Sequence, residues 1–249
     1  MDCPTLYHFR VAHYSEKVRW ALDYKGVPHR RRALPPGFHL PHALLLTGKR
    51  TLPILRLNGR AIRDSTAILA ELERLHPEPA LYPADLVLRE RALAIEDYYD
   101  EEVAPALRRL FWSTYMSDAT ACARMATDGF GAATRLAWRA LWPVMRPLFL
   151  SNMQIRPEPV QRARQALGGY FDRLEADTAA DGFHVGGSFS LADLTAAAVM
   201  TALIRPPEFS YPLPEPWPPA LVELRESLAE RPGFKWVLDV YRRFRPIAN

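Results

Sequence analysis

Asn58-Gly59 constrains this chain more than any other pair of residues. A two-residue hairpin of the type I′ class needs positive φ at both central positions, and Asn-Gly is the pair that supplies it most readily. The residues on either side read as strands, one opening at Pro53 and one ending near Arg63. Proline has no N–H for a sheet ladder, so Pro53 belongs at the start of its strand or on an edge. Directly after the hairpin, Asp64 and Ser65 offer capping oxygens to Thr66-Ala67-Ile68-Leu69-Ala70-Glu71-Leu72, a run with helical apolar spacing. A helix start presents free N–H groups and partial positive charge, so this corner is a candidate anion site.

The chain before the hairpin fits a β-α-β order. Thr5-Leu6-Tyr7-His8-Phe9 reads as a strand, and Tyr14, Val18, Ala21 and Leu22 recur as a buried helical stripe. Gly26 ends that helix and Pro28 prevents its continuation. His29 to Leu34 reads as a second strand, exposed or at an edge because of its three arginines. From Leu34-Pro35-Pro36-Gly37 to Thr51 the pattern predicts a loop.

At His76-Pro77-Glu78-Pro79-Ala80-Leu81-Tyr82-Pro83 a proline-rich linker intervenes, and only helical patterns follow. They run over about 85–115, 118–150, 157–179, 190–203 and 218–243. Pro143 and Pro147 are expected to kink or end the second of these, and Pro232-Gly233 to break the last. Pro206-Pro207 and the Pro212 to Pro219 stretch read as an extended connector. The fold class is α+β: residues 1–78 form a small α/β domain, 79–87 a linker and 88–249 an all-helical domain.

Composition excludes some functions. The formal charge is +4, but only Lys17, Lys25, Lys49 and Lys235 among the 32 basic residues are lysines, and the arginines are scattered without a basic run. That pattern gives no footprint for nucleic acid. Cys3 and Cys122 make no disulfide framework and no metal spacing, so a reducing compartment and no bound metal are expected. No signal peptide is read at the N-terminus. The most apolar stretch, Leu191 to Ile204, is too short for a membrane span and carries Asp193, so a cytoplasmic protein is expected.

Taken in order, these features resemble the cytosolic glutathione transferase family, of no assigned class. Leu52-Pro53 is similar to the family's X-Pro step, where the peptide is cis. Asp64-Ser65 is similar to its Glu/Asp-Ser pair, and Gly187-Ser188-Phe189-Ser190-Leu191-Ala192-Asp193 to the capping box of its helical domain. Tyr82-Pro83 at the linker and Ser15-Glu16-Lys17-Val18-Arg19 on the first helix add to the match. The resemblance implies a thioredoxin-like β-α-β-β-α domain, glutathione as co-substrate and a homodimer.

It further implies that Leu52 and Pro53 hold the cysteinyl unit of glutathione by backbone pairing. Ser65 would take the γ-glutamyl carboxylate and Asp64 the amino group, while Arg50, Lys49 or His39 would receive the glycyl carboxylate. The family's usual catalytic Ser, Cys or Tyr position falls on Ala12, in Ala12-His13-Tyr14-Ser15. Alanine has neither hydroxyl nor thiol, which argues against disulfide chemistry. Ser15, Tyr7 and the helix start around His13 are the remaining candidates to activate the thiol. A small apolar electrophile would lie between the domains, among Phe111, Trp112, Tyr115, Met116, Trp138, Trp142, Met145, Phe149 and Met153. The expected activity is glutathione conjugation in detoxification. The alternatives are a glutathione- or ligand-binding protein without strong catalysis, and an interaction module on the same fold.

Overall fold

The computed structural model describes residues 3–246. Four strands, β1 (Thr5–His8), β2 (Arg30–Ala33), β3 (Ile54–Leu57) and β4 (Arg60–Arg63), form one sheet in the order β2-β1-β3-β4. β1 runs parallel to β2 and antiparallel to β3, and β4 returns along β3. Asn58 and Gly59 take φ of 49° and 77°, the conformation a type I′ turn requires.

Helix α1 (His13–Tyr24) links β1 to β2 in parallel and ends before Gly26, which has φ of 62°. Helix α3 (Ser65–Leu75) follows β4 and packs against α1. Where the sequence predicts a loop from Leu34 to Thr51, a short helix α2 forms over Leu40–Thr47. Pro41 sits in its first turn and Gly48, at φ of 68°, closes it, so local chemistry alone suffices to start and stop it.

The helical region begins with α4 (Leu86–Tyr98), which continues through a π-helical turn at Tyr99–Val103 into α5 (Ala104–Tyr115). The patterned stretch 85–115 is therefore one rod with a widened turn, and such turns often mark functional sites. The expected helix over 118–150 divides into α6 (Ala119–Ala126) and α7 (Ala132–Asn152). Pro143 and Pro147 do not end α7. Both are exposed, while Trp138 and Trp142 on the opposite face are buried and hold the helix down. Helices α8 (Pro157–Thr178), α9 (Leu191–Met200), α10 (Pro219–Leu228) and α11 (Pro232–Phe244) complete the fold. The chain breaks before Pro232, which becomes the first residue of α11.

Every residue of α9 is buried, and this helix packs against both α1 and α4. Its start is a closed capping box, in which the Asp193 carboxylate accepts from the Ser190 N–H and hydroxyl, each at 2.9 Å. The other Asp193 oxygen accepts from the His184 N–H at 2.9 Å. Trp20 of α1 donates its indole N–H to the Phe244 carbonyl at 2.8 Å, tying the end of α11 to the sheet domain. No helix among the described residues is long and apolar enough to cross a membrane.

Candidate functional site

A cavity of about 880 Å³ opens where the sheet domain meets the helical region. One wall is built from the start of α1 (Ala12, His13, Tyr14), the segment Arg50 to Pro53, and the start of α3 (Asp64, Ser65, Thr66). The opposite wall carries Asp97, Asp100, Glu101, Arg108, Phe111 and Trp112, then Trp138, Trp142, Met145 and Phe149 of α7.

Two helix starts face this space. Helix α1 follows Ala12, which gives it no side-chain cap, so its first-turn N–H groups lack the partner that a Ser or Asp would supply. At α3, one Asp64 oxygen accepts from the Thr66 and Ala67 N–H groups at 3.0 and 3.2 Å. Asp64 holds φ of 76°, a left-handed conformation enforced by the turn from β4 into the helix. The Ser65 N–H and hydroxyl have no partner among the described residues. Between the helices, the Leu52–Pro53 peptide is cis. Neither the N–H nor the C=O of Leu52 meets another backbone group among the described residues.

His39 fixes the neighbouring segment. Its Nδ1 accepts from the Gly37 N–H at 3.1 Å, so its Nε2 carries the proton and donates to the Arg50 carbonyl at 2.9 Å. Burial lowers its pKa, which keeps this neutral tautomer in place. The Arg50 side chain is exposed and lines the cavity, whereas exposed Lys49 does not.

His13 is 5% exposed, and its Nε2 is buried without a partner. Burial, then the charges of Arg108 and Lys17, push its pKa down to about 3, so the ring is neutral at ordinary pH. The Tyr14 hydroxyl donates to the Asp100 carbonyl at 2.6 Å. Burial and the Asp100 charge push that phenol up to about 12. It is already spent as a donor.

Two of the sequence-predicted candidates for thiol activation lie elsewhere. Ser15 is fully buried and its hydroxyl accepts from the Phe9 N–H at 3.2 Å, so it closes the β1–α1 loop and does not line the cavity. Tyr7 packs with Leu34, Ala43, Leu52 and Ile54 behind the cavity wall. Ser15→Ala is therefore expected to cost about 1–3 kcal/mol of stability by orphaning that N–H. It should change turnover less than threefold, a difference that steady-state rates and thermal unfolding of the same preparation will separate.

The apolar wall is largely as the sequence predicts, except that Tyr115 and Met116 pack outside the cavity. Trp138 and Trp142 stack at 4.6 Å between centroids, and the Trp138 indole donates to the Pro36 carbonyl at 2.9 Å, tying α7 across the opening. Gly37 lies directly under α7, where a Cβ would stand 2.7 Å from the Met145 sulfur. Sequence reasoning missed Asp97, Asp100, Glu101, Arg108 and Arg205. The first three carry a readable signal, since spacings of three and four place them on one helical face. Among the described residues no cluster of His, Cys, Asp or Glu fits a metal ion.

Comparison with known proteins adds the following. Residues 6–80 match the family described as glutathione S-transferase, N-terminal domain, and residues 109–232 match glutathione S-transferase, C-terminal domain. A maleylpyruvate isomerase from Ralstonia sp is 34% identical over 107 residues, which are 42% of this chain and 50% of that protein. The chain thus spans about half the length of this curated relative. Among solved structures, the β-etherase LigF from Sphingobium sp. strain SYK-6 aligns with a TM-score of 0.64 at 20% identity, over 96% of this chain and 99% of its own. A theta class glutathione S-transferase from Xanthomonas axonopodis pv. citri, with glutathione bound, aligns with a TM-score of 0.58 at 20% identity, over 96% and 98%.

Proposed function

We propose that this chain, which belongs to the glutathione S-transferase family, binds glutathione along the sheet-domain wall of the cavity and joins its sulfur to an electrophile held against the aromatic wall. The observation that carries the reading is the convergence of three unpartnered groups on one cavity: the uncapped start of α1, the free backbone of Leu52 and the open hydroxyl of Ser65. Glutathione is an extended tripeptide with a carboxylate at each end, and such a ligand is held by backbone pairing plus charge capture. Leu52 would pair with the cysteinyl unit, and Ser65 would receive the γ-glutamyl carboxylate at the positive end of α3. Asp64 and Asp100 would attract its ammonium group; one Asp100 oxygen is buried with no partner. Arg50 would take the glycyl carboxylate.

In this pose the thiol lies at the start of α1, where Ala12 leaves no side-chain donor. A thiol with pKa about 8.5 is only ~3% thiolate at neutral pH. A helix start contributes up to about 2 kcal/mol to an anion in a partly buried site, enough to lower the pKa by roughly 1.5 units and ionise about half of it. The His13 ring is neutral with its Nε2 unpartnered, and in its Nε2–H tautomer it would be a further donor in the same turn. The α1 amides and His13 therefore replace the hydroxyl that other members of the family use, and the enzyme is a slow one. In the reaction the thiolate sulfur forms a bond to an electrophilic carbon, and that carbon's leaving group departs with the electron pair.

Millimolar glutathione is expected to raise the melting temperature, and a chloronitrobenzene electrophile to be turned over slowly. Ser65→Ala should weaken glutathione by about 10- to 100-fold, as loss of a hydrogen bond to a charged group does, measured by calorimetry. Unchanged affinity in that variant, or no thermal shift in the parent protein, would refute this pose. Ala12 favours one second reading, a glutathione-binding protein without strong catalysis; it predicts the thermal shift with no turnover of any electrophile.

A further inference from the structure

Besides exposed Arg50, the cavity is lined by two more deeply set cations that nothing among the described residues neutralises. Arg205 follows α9 and lines the cavity, with its guanidinium carbon 5.3 Å from the ring centroids of both Phe111 and Trp217. None of its N–H groups has a hydrogen-bond or ion-pair partner among the described residues, and its Nε is buried. Two neighbouring buried donors, the Tyr115 hydroxyl and the Trp217 indole N–H, are equally unpartnered. Arg205 also stands at φ of 58°, a conformation that favours glycine, immediately before Pro206. Arg225 donates to the preceding carbonyl, that of Ile204, at 3.0 Å and so holds this backbone in place. Arg108 lies one turn before Phe111 on α5, lines the same cavity and likewise has no ionic partner.

A desolvated cation without a counter-charge is costly unless something else supplies one. Burial lowers the Arg205 guanidinium to about 9, which still leaves it charged at neutral pH. The aromatic rings offset part of the desolvation but satisfy none of its N–H groups. A planar fork of donors matches a carboxylate in bidentate fashion.

We infer that Arg205 is an anion receptor, and that the second substrate is an aromatic or unsaturated electrophile bearing a carboxylate. The carboxylate would seat on Arg205 and the apolar body would lie against Phe111 and Trp112. The inference rests on the glutathione reading for the reaction, but not for the anion site itself.

The test uses a chlorodinitrobenzoate and its methyl ester as electrophiles, and dinitrobenzoate and its methyl ester as unreactive ligands. Wild type is expected to prefer the acid by tenfold or more in kcat/KM, as loss of a charge-assisted hydrogen bond implies. Arg205→Leu should bring that ratio close to one by raising KM for the acid, leaving the ester within about twofold. Arg205→Lys, which keeps the charge but loses the fork, should fall between them. Dinitrobenzoate binding, read by tryptophan fluorescence without glutathione, should follow the same order and weaken with salt. If glutathione gives no thermal shift but dinitrobenzoate still binds through Arg205, the conjugation reading falls and the receptor stands. If glutathione binds but acid and ester are equivalent in wild type, the receptor is overturned, whether or not Arg205→Leu folds.

Discussion

Lys17→Met is expected to lower the stability of this protein by about 3–5 kcal/mol at pH 7, the usual consequence of removing one partner from a buried ionic cluster. Lys17 reaches out of α1 with 1% of its surface exposed and contacts Glu96 at 2.5 Å and Asp100 at 2.6 Å. The Thr66 hydroxyl, one residue after Ser65, donates to Glu96 at 2.9 Å. One cation therefore serves two carboxylates and joins α1 and α3 to the α4 rod directly beneath the proposed glutathione corner. Burial already raises the pKa of both Glu96 and Asp100, and Lys17 opposes that rise. Without Lys17 both would rise further.

The sign of the pH effect follows from that. A carboxyl group whose folded pKa is raised binds its proton more tightly in the folded state, so its contribution favours folding at low pH and is lost as pH rises through the folded pKa. The deficit of Lys17→Met should accordingly shrink between pH 7 and pH 5. Pairing it with Glu96→Leu should recover part of the loss, since an apolar replacement leaves fewer buried charges alone. Urea unfolding of the single and double variants at both pH values measures this. A deficit below about 1 kcal/mol at pH 7, the range of an exposed ion pair, would show that the cluster is solvated. Glutathione affinity should fall in the same variant, because Thr66 and Asp100 both line the cavity.

What the sequence disclosed and what it concealed divide along physical lines. Features written in a few consecutive residues were legible: the Asn58-Gly59 turn, Gly26 after α1 and the Ser190–Asp193 box all depend on local backbone chemistry. Helix α2 was equally local, since Pro41 and Gly48 bracket it, but the prolines at 35 and 36 dominated the pattern. Of the site residues, Leu52, Pro53, Asp64, Ser65, Arg50, His39 and His13 are brought to one cavity. Ser15 and Tyr7 are not, because which way a side chain turns depends on which neighbour has an open hydrogen bond. Ser15 finds the Phe9 N–H at the loop behind it. Arg108 and Arg205 had no local mark at all. Their significance is that no carboxylate stands beside them, and that is a property of the assembled chain.

Acid should begin to destabilise this protein near pH 6.5, above the range in which unperturbed carboxylates titrate. His8 is fully buried; burial, then the charge of Arg19, holds its pKa down to about 2. His13 is held at about 3 by burial, with Arg108 and Lys17 adding to it. In both cases the folded value lies below the unfolded one of 6.5. Stability from these groups is therefore complete above pH 6.5 and declines as pH falls, because the unfolded chain takes up protons that the folded chain refuses. Two units below 6.5, at roughly pH 4.5, two such histidines remove about 5 kcal/mol at 1.36 kcal/mol per unit each. That is comparable to the whole stability of a marginal protein. His29 and His39 are also lowered by burial and act in the same direction, while the raised carboxyls of Glu96 and Asp100 act in the opposite one. His13→Phe isolates one contribution whatever its effect at neutral pH. Between pH 7 and roughly 4.5 the variant should lose about 3 kcal/mol less than wild type, the order of magnitude for one suppressed histidine over two units. Denaturant titrations at the two pH values give that difference directly, and parallel losses in the two proteins would mean that His13 takes up its proton in the folded state.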